Sequence, residues 1–407
     1  MKIHQEPQLA SASAPSASGV RRLPRLDRAW VPAVTVLAAG VLLVSVRLSF
    51  LAHGDPTWFI GAGKQFIRRA GLRYPIHLFS GPGYDGRFFY RLALDPTQLT
   101  PKALGIELDS ALRLQRIGYP VMAWLFAGGR GSLVPWSLIG VNLVSLALVG
   151  LVSGALARES GRHALAGLLL AAYWGYAFTL ARDTAEIQTG ALTLGALLAL
   201  RRQRPWLAAL AFTGAVLTRE TSVLVVVAVA LDQLVARRRA GAGSKKAGRG
   251  AYAAWILPGV AFVALQVVIH LVEGGFASGA GVAANIGPPL DALVRAVVSD
   301  LSGLAQPTSE LDLLQLAVLA GIVVVAARAL RESSAPTREK LAFVLMVLLA
   351  LCLSPADLVN QNNQRSLDEL FFLAGLVLLG SERRLARPGA LVAVLWLGVA
   401  VRVATAT

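Results

Sequence analysis

Apolar residues run unbroken for the length of a bilayer crossing again and again along this chain, with short arginine-rich interruptions between the runs. On that pattern, helices that cross or enter a membrane are expected at about 30–51, 133–157, 162–181, 186–200, 205–218, 221–236, 251–273, 311–331, 340–356, 368–380 and 389–405. A crossing takes ~20 apolar residues at the α-helical rise. The runs are continuous, so the two-residue alternation of a membrane β-barrel is absent, and helices alone satisfy the backbone in lipid. The expected fold is an all-α polytopic membrane protein of about 11 transmembrane helices. One membrane domain, 30–407, follows a basic disordered tail, 1–29, that contains "SASAPSASG". The tail is too long for a signal peptide, and no small-residue cleavage site follows it.

Basic clusters orient this pattern. Arg21, Arg22, Arg25 and Arg28 precede the first run, Arg158 and Arg162 follow the second, and Arg201, Arg202 and Arg204 come later. "ARRRAGAGSKKAGRG" at 236–250, "RESSAPTREK" at 331–340 and "SERRLAR" at 381–387 continue the series. With eleven crossings all of them fall on one side, which the positive-inside rule makes cytoplasmic. The chain is then expected in a bacterial inner membrane, amino terminus inside. Three segments fall on the opposite face: 52–132, 274–310 and 357–369. The second contains "PPLDALVRAVVSDLSGL", an amphipathic interfacial pattern. The first is a large loop that should hold short amphipathic helices. Within it "IGYPVMAWLFAGG", 117–129, is apolar but too short to cross, so it is expected to be re-entrant or to lie on the surface.

Composition changes the picture in three places. Only 15% of the 407 residues are charged, well below a soluble domain. The single cysteine, Cys352, excludes an internal disulfide, and the five histidines form no metal signature. The net charge of +16 sits mostly in short loops, where topology and anionic lipid explain it; no nucleic-acid partner is expected. The 52–132 loop is the exception. It carries Lys64, Arg68, Arg69, Arg73, Arg87, Arg91, Lys102, Arg113 and Arg116 on the face the positive-inside rule depletes. Anionic lipid headgroups would explain them, and so would a bound phosphate at the membrane surface.

Candidate chemistry concentrates in "SGPGYDGRFFYRLALDP". Asp85 sits in a glycine-flanked turn before a short helix that Asp95-Pro96 should end. Asp85 could simply cap that helix; alternatively it is a carboxylate kept ionised by neighbouring arginines and free to act as a base. Asp55, before Pro56 at the outer end of the first helix, is the second candidate acid, or a cap. "VLTRETS", 216–222, interrupts an apolar stretch, so two short helices should meet at Arg219 and Glu220. In "ARDTAEIQ" Arg182, Asp183 and Glu186 read as a solvated turn. "NNQRSLDEL" offers Asn362 and Arg365 for sugar hydroxyls or phosphate.

Together these segments resemble the GT-C glycosyltransferases, multi-pass enzymes that use polyprenyl-phosphate-linked sugars and carry an essential acid in the first extracytoplasmic loop. "YDGRFFYRLA" followed by "QRIGYPVMAWLFA" is similar to the "WDG…YxxIA…" and "PxYPLL" pattern of the second-mannose GPI mannosyltransferases and their bacterial relatives, with Tyr84 where the family has tryptophan. "LTRET" resembles the family's "LT(K/R)" element. The resemblance implies an inverting hexosyltransferase, with mannose among the candidate sugars, and a glycan or glycolipid acceptor in envelope synthesis. It puts Asp85 in the catalytic position, with Asp55 matching the more general GT-C placement. Arg219 is then near the donor phosphate, with Arg87, Arg91 and Arg116 of the basic loop as further phosphate ligands. Tyr84, Glu220, Arg365 and Asn362 are left for sugar and acceptor. No cofactor beyond the lipid-linked donor is implied. A lipid-linked glycan transporter and a non-catalytic assembly protein of an envelope polysaccharide pathway are the rival expectations; a transporter should show mid-span charges and internal repeats.

Overall fold

The structure is a computed structural model that describes residues 27–240, 249–279, 285–303, 306–358 and 363–405. Most of the expected tail, and Asn362, lie outside the described residues. The chain is 75% helical, an all-α membrane protein. In chain order the helices are α1 (Trp30–Phe50), α2 (Gly86–Leu94), α3 (Gly118–Phe126), α4 (Val134–Glu159), α5 (Leu168–Ala171), α6 (Trp174–Arg182), α7 (Glu186–Arg201) and α8 (Pro205–Thr218). They continue with α9 (Ser222–Ala240), α10 (Arg249–Glu273), α11 (Asp291–Ser302), α12 (Pro307–Ala329), α13 (Thr337–Leu351), α14 (Pro355–Leu358), α15 (Asp368–Leu379) and α16 (Ala386–Thr405). Proline opens α8 and α12, where its missing N–H is no loss. A sole β-hairpin among the described residues, Lys102–Ala103 with Ile106–Glu107, lies in the large loop.

Each of the eleven apolar runs is helical, yet length and composition qualify fewer of them as independent crossings. Five helices are long and apolar enough: Trp30–Phe50, Gly131–Glu159, Tyr252–Glu273, Thr308–Ala329 and Ala386–Thr405. A sixth results if Ala164–Ala171, which ends in α5, and α6, bent by 56° from it, count as one span. Of the remaining runs, α7, α8, α13 and α15 are shorter than a crossing, and α9 is long enough but ends in the exposed Arg237, Arg238 and Arg239. Among the short ones α15 is the clearest case. All twelve of its residues are buried, so it is hydrophobic all round below an acidic first turn of Asp368 and Glu369.

Ion pairs and caps show how the bundle is strung. Arg201 at the end of α7 pairs with Glu339 in the first turn of α13. Nearby, Arg202 pairs with Glu159, Arg383 with Glu332, and Arg162 donates to the carbonyls of Leu379, Ser381 and Arg383. The basic clusters at 158–162, 201–204, 331–340 and 381–387 therefore gather at one end of the bundle. The other ends of α7 and α13, the start of α15 and the α8–α9 break meet the 52–132 loop.

In that loop, α2 follows the sequence expectation, ending at Leu94 before Asp95-Pro96, and all nine of its residues are buried. α3 has nine residues and cannot cross; Met122, Trp124, Leu125 and Phe126 on it are exposed, as an interfacial helix requires. α11 is likewise amphipathic, burying Ala292, Ala296 and Asp300 while Val294, Val298 and Leu301 face outward.

Candidate functional site

A cavity of about 480 Å³ opens where the loop meets the bundle. Its polar lining comprises Tyr84, Asp85, Arg87, Arg113, Arg116, Glu186, Arg219, Glu220, Thr221, Asn285, Arg365, Ser366 and Glu369, brought from six separate stretches of chain.

Asp85 stands at the N-cap of α2, but its side chain caps nothing. It turns instead to two guanidinium groups, and both contact the same oxygen. Arg365 Nη2 donates to Oδ2 at 2.6 Å, and Arg113 Nη1 lies 3.2 Å from it. Oδ1 accepts no hydrogen bond among the described residues, although Asp85 lines the cavity. Burial alone would raise the carboxyl pKa; Arg113, Arg365 and Arg116 outweigh it and hold the group well below the usual carboxylate range. Asp85 is thus an anion fixed in orientation by one oxygen.

Gly86 explains why the turn can sit there. A Cβ at this position would collide with the carbonyl oxygens of Arg182 and Ile60, so only glycine lets the start of α2 approach both backbones.

Arg365 is the hub. Its Nε donates to the Tyr84 hydroxyl at 2.7 Å, one Nη to Asp85 and the other to Glu186, while its plane lies 5.0 Å from the Tyr84 ring centre. Burial pushes the Tyr84 phenol above its usual pKa, so it remains a neutral hydroxyl beside the guanidinium. Arg113 is held from behind by a two-point bond to Asp109, at 2.9 and 3.0 Å, and stacks on Phe88. Arg113 and Arg116 lie three residues apart at the 3₁₀-helix Ala111–Gln115 and its end, where such positions eclipse. Arg116 makes a two-point bond to Glu220, at 3.0 and 2.5 Å, which lowers the Glu220 carboxyl to about 2 against the opposing effect of burial.

α8 ends at Thr218 and α9 starts at Ser222, so the expected break falls on Arg219, Glu220 and Thr221. Arg219 reaches the buried Asp368 at 2.8 Å, and Ser222 donates to Glu369 at 2.6 Å. Arg87 is the one cavity arginine without a carboxylate contact among the described residues. It donates to the Pro82 and Tyr84 carbonyls and lies between the Phe66 and Phe88 rings, and burial lowers it to about 10.

Two expected site residues do not arrive. Asp55 caps the 3₁₀-helix Pro56–Ile60, accepting from the Thr57 amide and hydroxyl, both at 2.9 Å, and does not line the cavity. The Asp-Pro turn consumes its lone pairs. Arg91, one turn of α2 beyond Arg87, is buried and does not line the cavity; it holds the Gln98 and Thr100 carbonyls. The solvated-turn reading of "ARDTAEIQ" is also corrected: Asp183 and Thr184 are fully buried and Glu186 is 2% exposed, because α6 and α7 pack against the centre of the bundle. Glu186 and Glu369 line the cavity and were missed from the sequence, as was Asp368, the buried partner of Arg219; Arg113 stood out only as one of the nine loop cations. No group of three or more His, Cys, Asp or Glu side chains among the described residues could hold a metal ion.

The remaining wall is apolar. Met346, Leu349 and Ala350 lie on one face of α13, and Leu353 follows just past its end, a spacing that keeps them in line. Comparison with protein-family models, with curated proteins and with solved structures finds no match to this chain.

Proposed function

We propose that the chain is a GT-C-type membrane glycosyltransferase that moves a sugar from a polyprenyl-phosphate donor to a glycan or glycolipid acceptor at the outer face of a bacterial inner membrane. One observation carries this reading: a cavity-lining carboxylate with Oδ2 held by two arginines and with no hydrogen bond to Oδ1 among the described residues. That cavity has an arginine-rich floor and an apolar wall, as a lipid phosphate requires.

In this scheme the acceptor hydroxyl attacks the anomeric carbon from the side of Asp85, and Oδ1 takes its proton. The sugar–phosphate C–O bond breaks on the opposite side with inversion, and its electron pair leaves on the phosphate oxygen. Arg113, Arg116, Arg219 and Arg365 stabilise that charge in a partly desolvated site. Tyr84 and Glu220 stand where sugar hydroxyls would pass, and the α13 face takes the isoprenoid chain. The eleven-pass topology and the inward amino terminus belong to this proposal.

The test is a reconstitution of the purified protein with radiolabelled polyprenyl-phosphate sugars and a panel of lipid-linked acceptors. Asp85→Asn is expected to lower transfer by about 10²-fold or more, the contribution of a positioned base. Wild-type turnover retained by a folded Asp85→Asn protein would remove the assignment.

A further inference from the structure

The geometry creates a difficulty that the reaction must solve. A carboxylate that two guanidinium groups grip is a poor proton acceptor, and those same groups are among the cations that a phosphate in the cavity would meet. Arg365 has no spare nitrogen: Tyr84, Asp85 and Glu186 engage all three. Arg113 is committed to Asp109 through two nitrogens, and the third faces Asp85. Arg116 and Arg219 are tied to Glu220 and Asp368. Arg87 has no carboxylate contact among the described residues and Arg116 bonds Glu220 through Nε and Nη2 alone, so a phosphate can first meet these two; to draw Arg113 or Arg365 as well it must compete with a carboxylate.

Which carboxylate gives way can be read from the pairs. Glu220 holds Arg116 by two parallel bonds, the stronger arrangement. Asp368 and Glu186 are buried, so stripping either of its arginine leaves an uncompensated charge away from water. Asp85 alone combines single-point contacts with exposure to the cavity, at 18% of its side chain. It is the partner that costs least to displace.

Resting on the function proposed above, we infer that Arg113 and Arg365 are shared between Asp85 and the donor phosphate: the incoming phosphate draws their N–H groups from Oδ2, and this exchange turns Asp85 into an effective base only when a donor is seated. Asp85 and the phosphate are competitors for binding and collaborators in chemistry.

The consequence is opposite to that of an ordinary binding residue. Farnesyl phosphate serves as probe, farnesol as its uncharged control, and the full chain in detergent or nanodiscs is titrated directly. Asp85→Asn and Asp85→Ser are expected to bind farnesyl phosphate about tenfold more tightly than wild type, while transfer is lost. Glu107→Gln, which removes a half-buried charge of the same loop whose ion pair among the described residues is with Lys102, should leave the affinity unchanged. Arg365→Gln should weaken it about tenfold. A gain in affinity cannot come from damage to the fold. Equal or weaker binding by both Asp85 variants, with wild type binding normally, overturns the exchange but leaves the glycosyltransferase reading intact. Failure of wild type to prefer farnesyl phosphate over farnesol overturns the lipid-phosphate donor itself.

Discussion

Two aspartates in one loop, each beside a glycine or proline turn, end in different chemical situations because of what their oxygens face. Asp55 has both oxygens occupied by Thr57, a local cap. Asp55→Ala should therefore cost about 1 kcal/mol of stability, as cap removal does, and leave turnover per folded molecule unchanged; a stability assay beside the transfer assay separates the two. Glu220 offers a pH test. Its folded value of about 2 lies below the unfolded value of about 4.3, so its pairing with Arg116 stabilises the fold above that pH. The contribution fades as pH falls from about 4 toward 2, at about 1.4 kcal/mol per unit of lowering. Thermal unfolding in detergent should show wild type losing stability over that window, and Glu220→Gln starting lower but declining less steeply. Parallel declines would show that the ion pair contributes nothing.

At the scale of elements, the site depends on how closely short helices approach. α3 packs its first residue, Gly118, against the end of α8, where a Cβ would meet the Thr218 hydroxyl and the backbone of Leu217. This contact joins the loop carrying Arg116 to the break carrying Glu220. Gly118→Ala should separate that pair and lower activity several-fold with Asp85 untouched, and restored activity in a Gly118→Ala, Thr218→Ala double variant would trace the loss to that collision. The helical runs, the α2 stop at Asp95-Pro96 and the break at Arg219 were all legible, since each follows from local apolar length or a proline. Tyr84, Asp85 and Arg87 were legible too, because polar residues in an otherwise apolar chain draw attention. Glu186 was not. A charged residue opening a helix is normally solvated, and only the packing of α6 and α7 against the centre of the bundle buries this one. Arg113 carried a usable signal, its three-residue spacing from Arg116, which matters only once the segment is known to be 3₁₀ rather than α. The separation of Asp55 from Asp85 needed the hydrogen bonds themselves.

On the scale of the whole molecule, the arginine clusters of the short loops and the cavity lie at opposite ends of the bundle. α7 runs from Glu186 in the cavity to Arg201 in the basic cluster, and α13 runs back from Glu339 to the apolar wall. If the short-loop clusters face the cytoplasm, as the positive-inside rule favours, the cavity opens outward, where lipid-linked donors would meet it. The single native cysteine makes this measurable. In a Cys352→Ser background, Ser80→Cys places an exposed thiol in the large loop, and Arg384→Cys places one in the basic cluster. A membrane-impermeant maleimide should label Ser80→Cys in intact cells after outer-membrane permeabilisation, and label Arg384→Cys only once the inner membrane is opened. The reverse pattern would turn the cavity toward the cytoplasm and remove the outer-face reaction. Labelling of both in intact cells would mean that the two ends share one face, which the antiparallel course of α7 and α13 forbids for any bundle that crosses the bilayer.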